Sequence, residues 1–279
     1  MGFCMGVRRA VDMAAAEASK TTCVYTLGPL IHNGEALAAL EKCGVKEITH
    51  LPDDAENISV VIRAHGINPK AEYGLRNKRV NIIDATCPNV KSLQIKAGTL
   101  SKEGYKLFIA GDAEHAEIEG ILGYVNAESS ASFCKVVSSS FEAEASAKML
   151  YEADKDAKTA LIGQTTFSGA EYCNIGNAVK KYFPSLEVVQ TICTAAVERQ
   201  QALRNMLEKV EAVLIVGGRE SANTRRLLAI AQESGKPCAL VEKTSEIPSN
   251  FYTFKTVGIS AGASTPDSVI NAIELEILR

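Results

Sequence analysis

Short β-branched apolar runs alternate along this chain with stretches whose apolar residues recur at helical spacing. The runs Val24–Leu27, Ser59–Arg63, Val80–Asp84, Lys106–Ala110, Thr159–Gly163, Leu186–Gln190, Ala212–Val216, Cys238–Val241 and Thr256–Ser260 read as strands. Gly34–Lys42, Asn89–Glu103, Glu142–Glu152, Ala195–Val210 and Thr224–Glu233 read as helices between them. Such alternation predicts βαβ units with mostly parallel sheets, an α/β fold. No repeat by identity and no Pro/Gly-rich linker divides the chain.

A repeat of plan is present all the same. Nearly every strand runs directly into a polar turn. These are Gly28-Pro29-Leu30-Ile31-His32-Asn33, Arg63-Ala64-His65-Gly66, Asp84-Ala85-Thr86-Cys87-Pro88 and Gly111-Asp112-Ala113-Glu114-His115-Ala116-Glu117, followed by Gln164-Thr165-Thr166, Thr191-Ile192-Cys193, Gly217 to Asn223 and Ala261-Gly262-Ala263-Ser264. In open α/β sheets ligands bind beyond the carboxyl ends of the strands, where helix N-termini also point. The turns therefore predict several small sheets aimed at one shared site.

Composition narrows the classes. Of 279 residues 46% are apolar and 23% charged, which is globular. The net charge of −3 argues against nucleic acid or an anionic membrane as partner. No apolar run nears the roughly 18 residues of a membrane span, and Met1-Gly2-Phe3-Cys4 does not open a signal peptide. A cytoplasmic protein with reduced thiols is the expectation.

Of eight cysteines, Cys23, Cys43, Cys134, Cys173 and Cys238 have settings in which a thiol is ordinarily a small buried hydrophobe. Cys4, Cys87 and Cys193 differ, because each sits in a turn that opens a helix. A helix N-terminus favours the thiolate, the form that binds metal. No Cys-x-x-Cys pair exists, so a metal centre has to be assembled from turns remote in sequence. Spacing alone leaves open three unrelated structural or reactive thiols.

Taken in order, Gly2-Phe3-Cys4-Met5-Gly6-Val7, the turns at His32, His65 and Cys87, His115-Ala116-Glu117-Ile118-Glu119-Gly120, Gln164-Thr165-Thr166 and Ala261-Gly262-Ala263-Ser264-Thr265-Pro266-Asp267 resemble the LytB/IspH family of 4-hydroxy-3-methylbut-2-enyl diphosphate reductases. The likeness runs from Cys4 to Asp267. It implies three small α/β domains in a pseudo-threefold trefoil around a central iron–sulfur site: 1–87, 88–187 and 188–279. It implies a 4Fe–4S cluster held by Cys4, Cys87 and Cys193, with one iron left open for substrate chemistry. The implied reaction is reductive removal of an allylic hydroxyl, giving isopentenyl and dimethylallyl diphosphate in the last step of the non-mevalonate isoprenoid pathway. A ferredoxin or flavodoxin is the implied electron donor.

The same resemblance distributes roles among the polar turns. His32, His65 and His115 would bind the diphosphate, together with Ser221, Asn223 and Ser264. Read alone, Ser221 before a helix is an ordinary N-cap, and His50 carries no motif. Glu117 would deliver the proton that lets hydroxide leave as water, with Thr165 relaying it. Glu114 and Glu119 read as outward-facing. The family usually has a short strand before its first cysteine, whereas Cys4 follows three residues here, so either native residues precede Met1 or Cys4 is held more loosely. Ala116 stands where proline is common, and Ala196 where threonine is usual. Ala222 replaces a frequent serine, a hydrogen bond worth ~1–3 kcal/mol to a charged acceptor. Two other readings compete: a quinolinate-synthase-like dehydratase, which the Glu117 and Thr165 motifs oppose, and a cluster-bearing sensor, which would need the cysteines but no acid.

Overall fold

The structure, a computed structural model, describes residues 1–51, 58–128 and 133–279. In chain order the first elements are α1 (Met5–Ala18), β1 (Val24–Leu27), α2 (Gly34–Lys42), β2 (Val45–Ile48), β3 (Ser59–Ile62), α3 (Pro69–Asn77), β4 (Asn81–Asp84) and α4 (Pro88–Lys102). Next come β5 (Lys106–Ala110), α5 (Ala116–Glu128), β6 (Cys134–Val137), α6 (Ser140–Ala153), β7 (Thr159–Gly163), α7 (Gly169–Lys180) and β8 (Glu187–Val188). The last are α8 (Thr194–Leu207), β9 (Ala212–Val216), α9 (Ala222–Glu233), β10 (Cys238–Val241), β11 (Val257–Ala261) and α10 (Asp267–Ile277).

Capping chemistry explains where many helices start. Asn33 and Asn68 accept the N–H groups of Ala36 and Ala71 at 2.9 and 2.8 Å. Ser139, Ser168 and Ser221 do the same for α6, α7 and α9. Pro69 and Pro88 occupy first helical positions, where no N–H is needed.

The strands form three parallel sheets, ordered β2-β1-β3-β4, β6-β5-β7-β8 and β10-β9-β11. The second repeats the plan of the first, and the third is the same plan without its fourth strand. This is the repeat that the sequence shows only as recurring turns. Of the central strands, β3, β7 and β9 are buried at every residue. That burial accounts for their unbroken apolar runs, since helices cover both faces of a parallel sheet. Around the second sheet, Phe108, Leu161 and Ile175 pack on one face and Leu107, Ile109 and Ile121 on the other.

By its contacts the chain divides into two compact units, one of residues 1–64, 81–85 and 194–279, the other of 65–80 and 86–193. The first holds the sheets of β1 and β9, the second that of β5.

Several expectations need correction. The run Leu186–Gln190 contributes only two strand residues, Glu187 and Val188. Strands β2 and β6 were not anticipated, because both are short edge strands carrying Lys46 and Glu47 or Lys135, which break the apolar signal. Cys43 and Cys173 are exposed rather than buried. Each lies on a helix position facing solvent, at the end of α2 and within α7.

Candidate active site

In each sheet the strand order reverses between two neighbours: β1 and β3, β5 and β7, β9 and β11. Loops leaving such a pair diverge to opposite faces and open a crevice, the usual ligand position of an open α/β sheet. The sequence candidates follow this rule. His32 and His65 follow β1 and β3, His115 with Glu117 and Thr165 follow β5 and β7, and Ser221 with Asn223 and Ser264 follow β9 and β11.

At the β5/β7 crevice Glu117 lies in the first turn of α5, not in a solvated turn, and is 1% exposed. Its Oε1 accepts the Thr165 N–H at 2.6 Å and its Oε2 the Thr165 hydroxyl at 3.0 Å. Burial pushes its pKa up to about 7, against these two bonds, which pull it down. A carboxyl whose pKa lies near neutrality and whose two oxygens are held by one residue has the properties that general acid catalysis needs. His115 Nδ1 accepts the Glu117 N–H at 3.1 Å, which in the neutral ring leaves the proton on Nε2. The His65 ring meets His115 edge-on at 5.4 Å. Glu114 and Glu119 are exposed as expected, and so is His50.

The same unit leads from this acid to two of the cysteines. The Thr165 carbonyl accepts the Cys193 N–H at 2.8 Å, and Asn89 Nδ2 donates to Cys193 Sγ at 3.5 Å. Asn89 is the second residue of α4, whose N-cap is Cys87. The sulfur of Cys87 makes no capping bond to its helix.

In the other unit the loops after β1, β9 and β11 converge on His32. The Ser264 hydroxyl donates to the His32 carbonyl at 3.1 Å, and a side chain at Gly218 would collide with that same carbonyl. Burial lowers the pKa of His32, helped by the charges of Arg63 and Arg225 and opposed by Glu220. The imidazole is therefore a neutral donor that an arriving anion would charge. Ser221 serves as N-cap of α9, accepting the Thr224 N–H at 3.4 Å. Asn223, two residues on and 2% exposed, has neither amide atom hydrogen-bonded, and the Thr224 hydroxyl is equally unmatched. Buried polar groups left unsatisfied at a helix N-terminus fit an anion that is to be received there. Cys4, the N-cap of α1, makes no capping bond through sulfur, and its N–H donates to the Ala263 carbonyl at 3.0 Å.

Sequence reasoning missed Thr224, Arg225, Asn89 and the buried Gln94. Arg63 was visible in its motif but had no role. Gln94 lies in mid-α4 among apolar positions and gives no signal in the sequence; it stands against Gly66 and Gly120 with its amide unpaired.

The family model described as LytB protein matches residues 1–278. A protein of Treponema pallidum named 4-hydroxy-3-methylbut-2-enyl diphosphate reductase is 39% identical, over 98% of this chain and 80% of its own length. Proteins of the same name from Treponema denticola and Aquifex aeolicus are 38% and 35% identical over 100% and 99% of this chain, and over 97% and 93% of their own. Among solved structures, (E)-4-hydroxy-3-methyl-but-2-enyl diphosphate reductase, described as the terminal enzyme of the non-mevalonate pathway, is 34% identical with a TM-score of 0.70, covering 99% of this chain and 96% of that one. The corresponding Plasmodium falciparum reductase has a TM-score of 0.85 at 24% identity over 97% of this chain and 83% of its own, and speaks for the fold alone.

Proposed function

This chain belongs to the LytB family, and from that premise we propose that it reduces 4-hydroxy-3-methylbut-2-enyl diphosphate to isopentenyl and dimethylallyl diphosphate. The observation that carries the reading is the Glu117–Thr165 pair, a buried acid with a pKa of about 7 facing a crevice between central strands. A sensor would have no use for it.

Cys4, Cys87 and Cys193 are the proposed ligands of a 4Fe–4S cluster. In support, Cys4 and Cys87 open helices without spending their sulfurs on capping, and Cys193 immediately precedes α8. When bound, such a cluster would relay two electrons, one at a time, from an external donor and would offer a Lewis-acidic iron to the substrate. The chain's own residues do the rest. His32, His65, His115, Asn223, Ser221 and Ser264 bind the diphosphate; Ser264 must first turn its hydroxyl from the His32 carbonyl. Thr165 passes the proton of Glu117 to the leaving hydroxyl, which departs as water; the two electrons reduce the allyl fragment, and a second proton adds to its carbon to give the product. We read the chain as domains 1–87, 88–187 and 188–279, one for each sheet. The electron donor would be a ferredoxin or flavodoxin, and the place of action the cytoplasm. Among the described residues no helix is long and apolar enough to cross a membrane.

The test is replacement of each cysteine by serine after anaerobic purification. Visible cluster absorbance should vanish at Cys4, Cys87 and Cys193 and persist at Cys23, Cys43, Cys134, Cys173 and Cys238. An intact cluster in Cys193→Ser contradicts the ligand set.

A further inference from the structure

The turn that carries Cys4 is held in an unusual way. Gly2 has φ +85°, open to glycine, and any side chain there would collide with the Asp267 carboxylate. Phe3 packs against the core of the first sheet, but around it Met1 and Met5 are 69% and 61% exposed, and an open cavity of about 350 Å³ is lined by Met1, Cys4, Ala195, Met206 and Ile259. The Arg8–Asp267 ion pair, at 3.3 Å, is more than half exposed on both sides and holds weakly.

One group does bind the turn firmly. Arg199, on α8 and half-buried, donates through Nη1 to the Ala261 carbonyl at 3.0 Å and through Nη2 to the Gly2 carbonyl. The planar guanidinium thus bridges the end of β11 to the residue two before Cys4, beside the point where the Cys4 N–H meets Ala263. Only a fork of fixed geometry serves two carbonyls at once; an ammonium on a flexible stem serves one well. The helix carrying Arg199 begins at Thr194, directly after Cys193.

We propose that Arg199 is the positioning residue of Cys4, tying the first cysteine to the helix that follows the third. The proposal rests on the reading of Cys4 as a cluster ligand, and its test separates the two. In the iron-free, reduced chain, alkylation of Cys4 is timed against exposed Cys43 as internal standard, and exchange of the Cys4 amide hydrogen is followed alongside. Arg199→Met should raise both rates about ten-fold or more, the size set by losing charge-assisted hydrogen bonds. Arg199→Lys should fall between, and it carries the test alone if the methionine variant does not fold. On reconstitution with iron and sulfide, both variants should load less cluster than wild type in the same order. Unchanged Cys4 alkylation and exchange in both variants overturn the proposal. Faster Cys4 labelling, with full cluster loading in Arg199→Met and also in Cys4→Ser, leaves the clamp standing and removes Cys4 from the ligand set.

Discussion

Glu117 is the proposed proton donor, and its surroundings set when it carries its proton. With a folded pKa of about 7 against 4.5 unfolded, it favours the native state in its protonated form. Its stabilising effect is complete below pH 4.5 and is lost as pH rises to 7, a change of about 3 kcal/mol. Glu117→Gln cannot ionise but keeps an acceptor and a donor for Thr165. Its thermal midpoint relative to wild type should therefore climb between pH 4.5 and 7 and then level off; parallel midpoints across that range would refute a buried neutral acid. Turnover should fall at least ~10²-fold in the variant. In the wild type the alkaline limb of kcat/KM should lie near pH 7, because the acid must arrive protonated. Asn223 makes the opposite trade. Its unpaired amide costs ~1–3 kcal/mol in the free protein, so Asn223→Ala should melt no lower than wild type while binding pyrophosphate at least ten times more weakly. Calorimetry on both properties decides it, and a variant that loses stability but keeps affinity contradicts the role. Neither burial was legible in the sequence. Glutamate in the first turn of a helix usually meets water, and the helix start that Ser221 announces does not reveal which way Asn223 faces. His32, by contrast, stands out in its polar turn, but the burial that lowers its pKa, and the Arg63 charge that adds to it from the turn after β3, are invisible in its own motif.

At the level of elements, the polar turns share one setting: each follows a strand and opens or precedes a helix. The sequence showed this well where strands are buried on both faces, as at Ala212–Val216 and residues 107–110, whose apolar runs are continuous. It failed at edges. Val45–Ile48 shows only one fully buried residue, and Pro69–Asn77 buries only Leu75, so neither carries an apolar period to detect. What brings loops together is also absent from local pattern: Gly218 is a plain glycine in sequence, yet its bare Cα admits the His32 carbonyl. A methyl group there meets backbone, which cannot rotate away. Gly218→Ala should cost ~1–3 kcal/mol of stability, typical of overpacking, and should weaken pyrophosphate binding further than Gly44→Ala. Gly44 has open space around it and, at φ +99°, pays only in backbone strain. Denaturant titration with a binding isotherm for each variant compares the two, and equal pyrophosphate affinity in both would remove Gly218 from the anion loop.

For the molecule as a whole, the net charge of −3 means that a diphosphate has to be recruited by local donors rather than by the general field. The net charge argues against nucleic acid or an anionic membrane as partner, and the ordered motifs point to the family. They could not show that three sheets share one strand plan, since nothing repeats but the turn positions. The central claim is that this plan supports a reduction rather than cluster sensing. Its most direct test is turnover: protein purified without oxygen and carrying about four irons per chain, the content of a cubane cluster, is given 4-hydroxy-3-methylbut-2-enyl diphosphate and a strong artificial reductant, and the products are quantified. Isopentenyl and dimethylallyl diphosphate should appear together over many turnovers. A full cluster, reduced and exposed to substrate, that yields neither product would contradict the account and make the sensor the better reading.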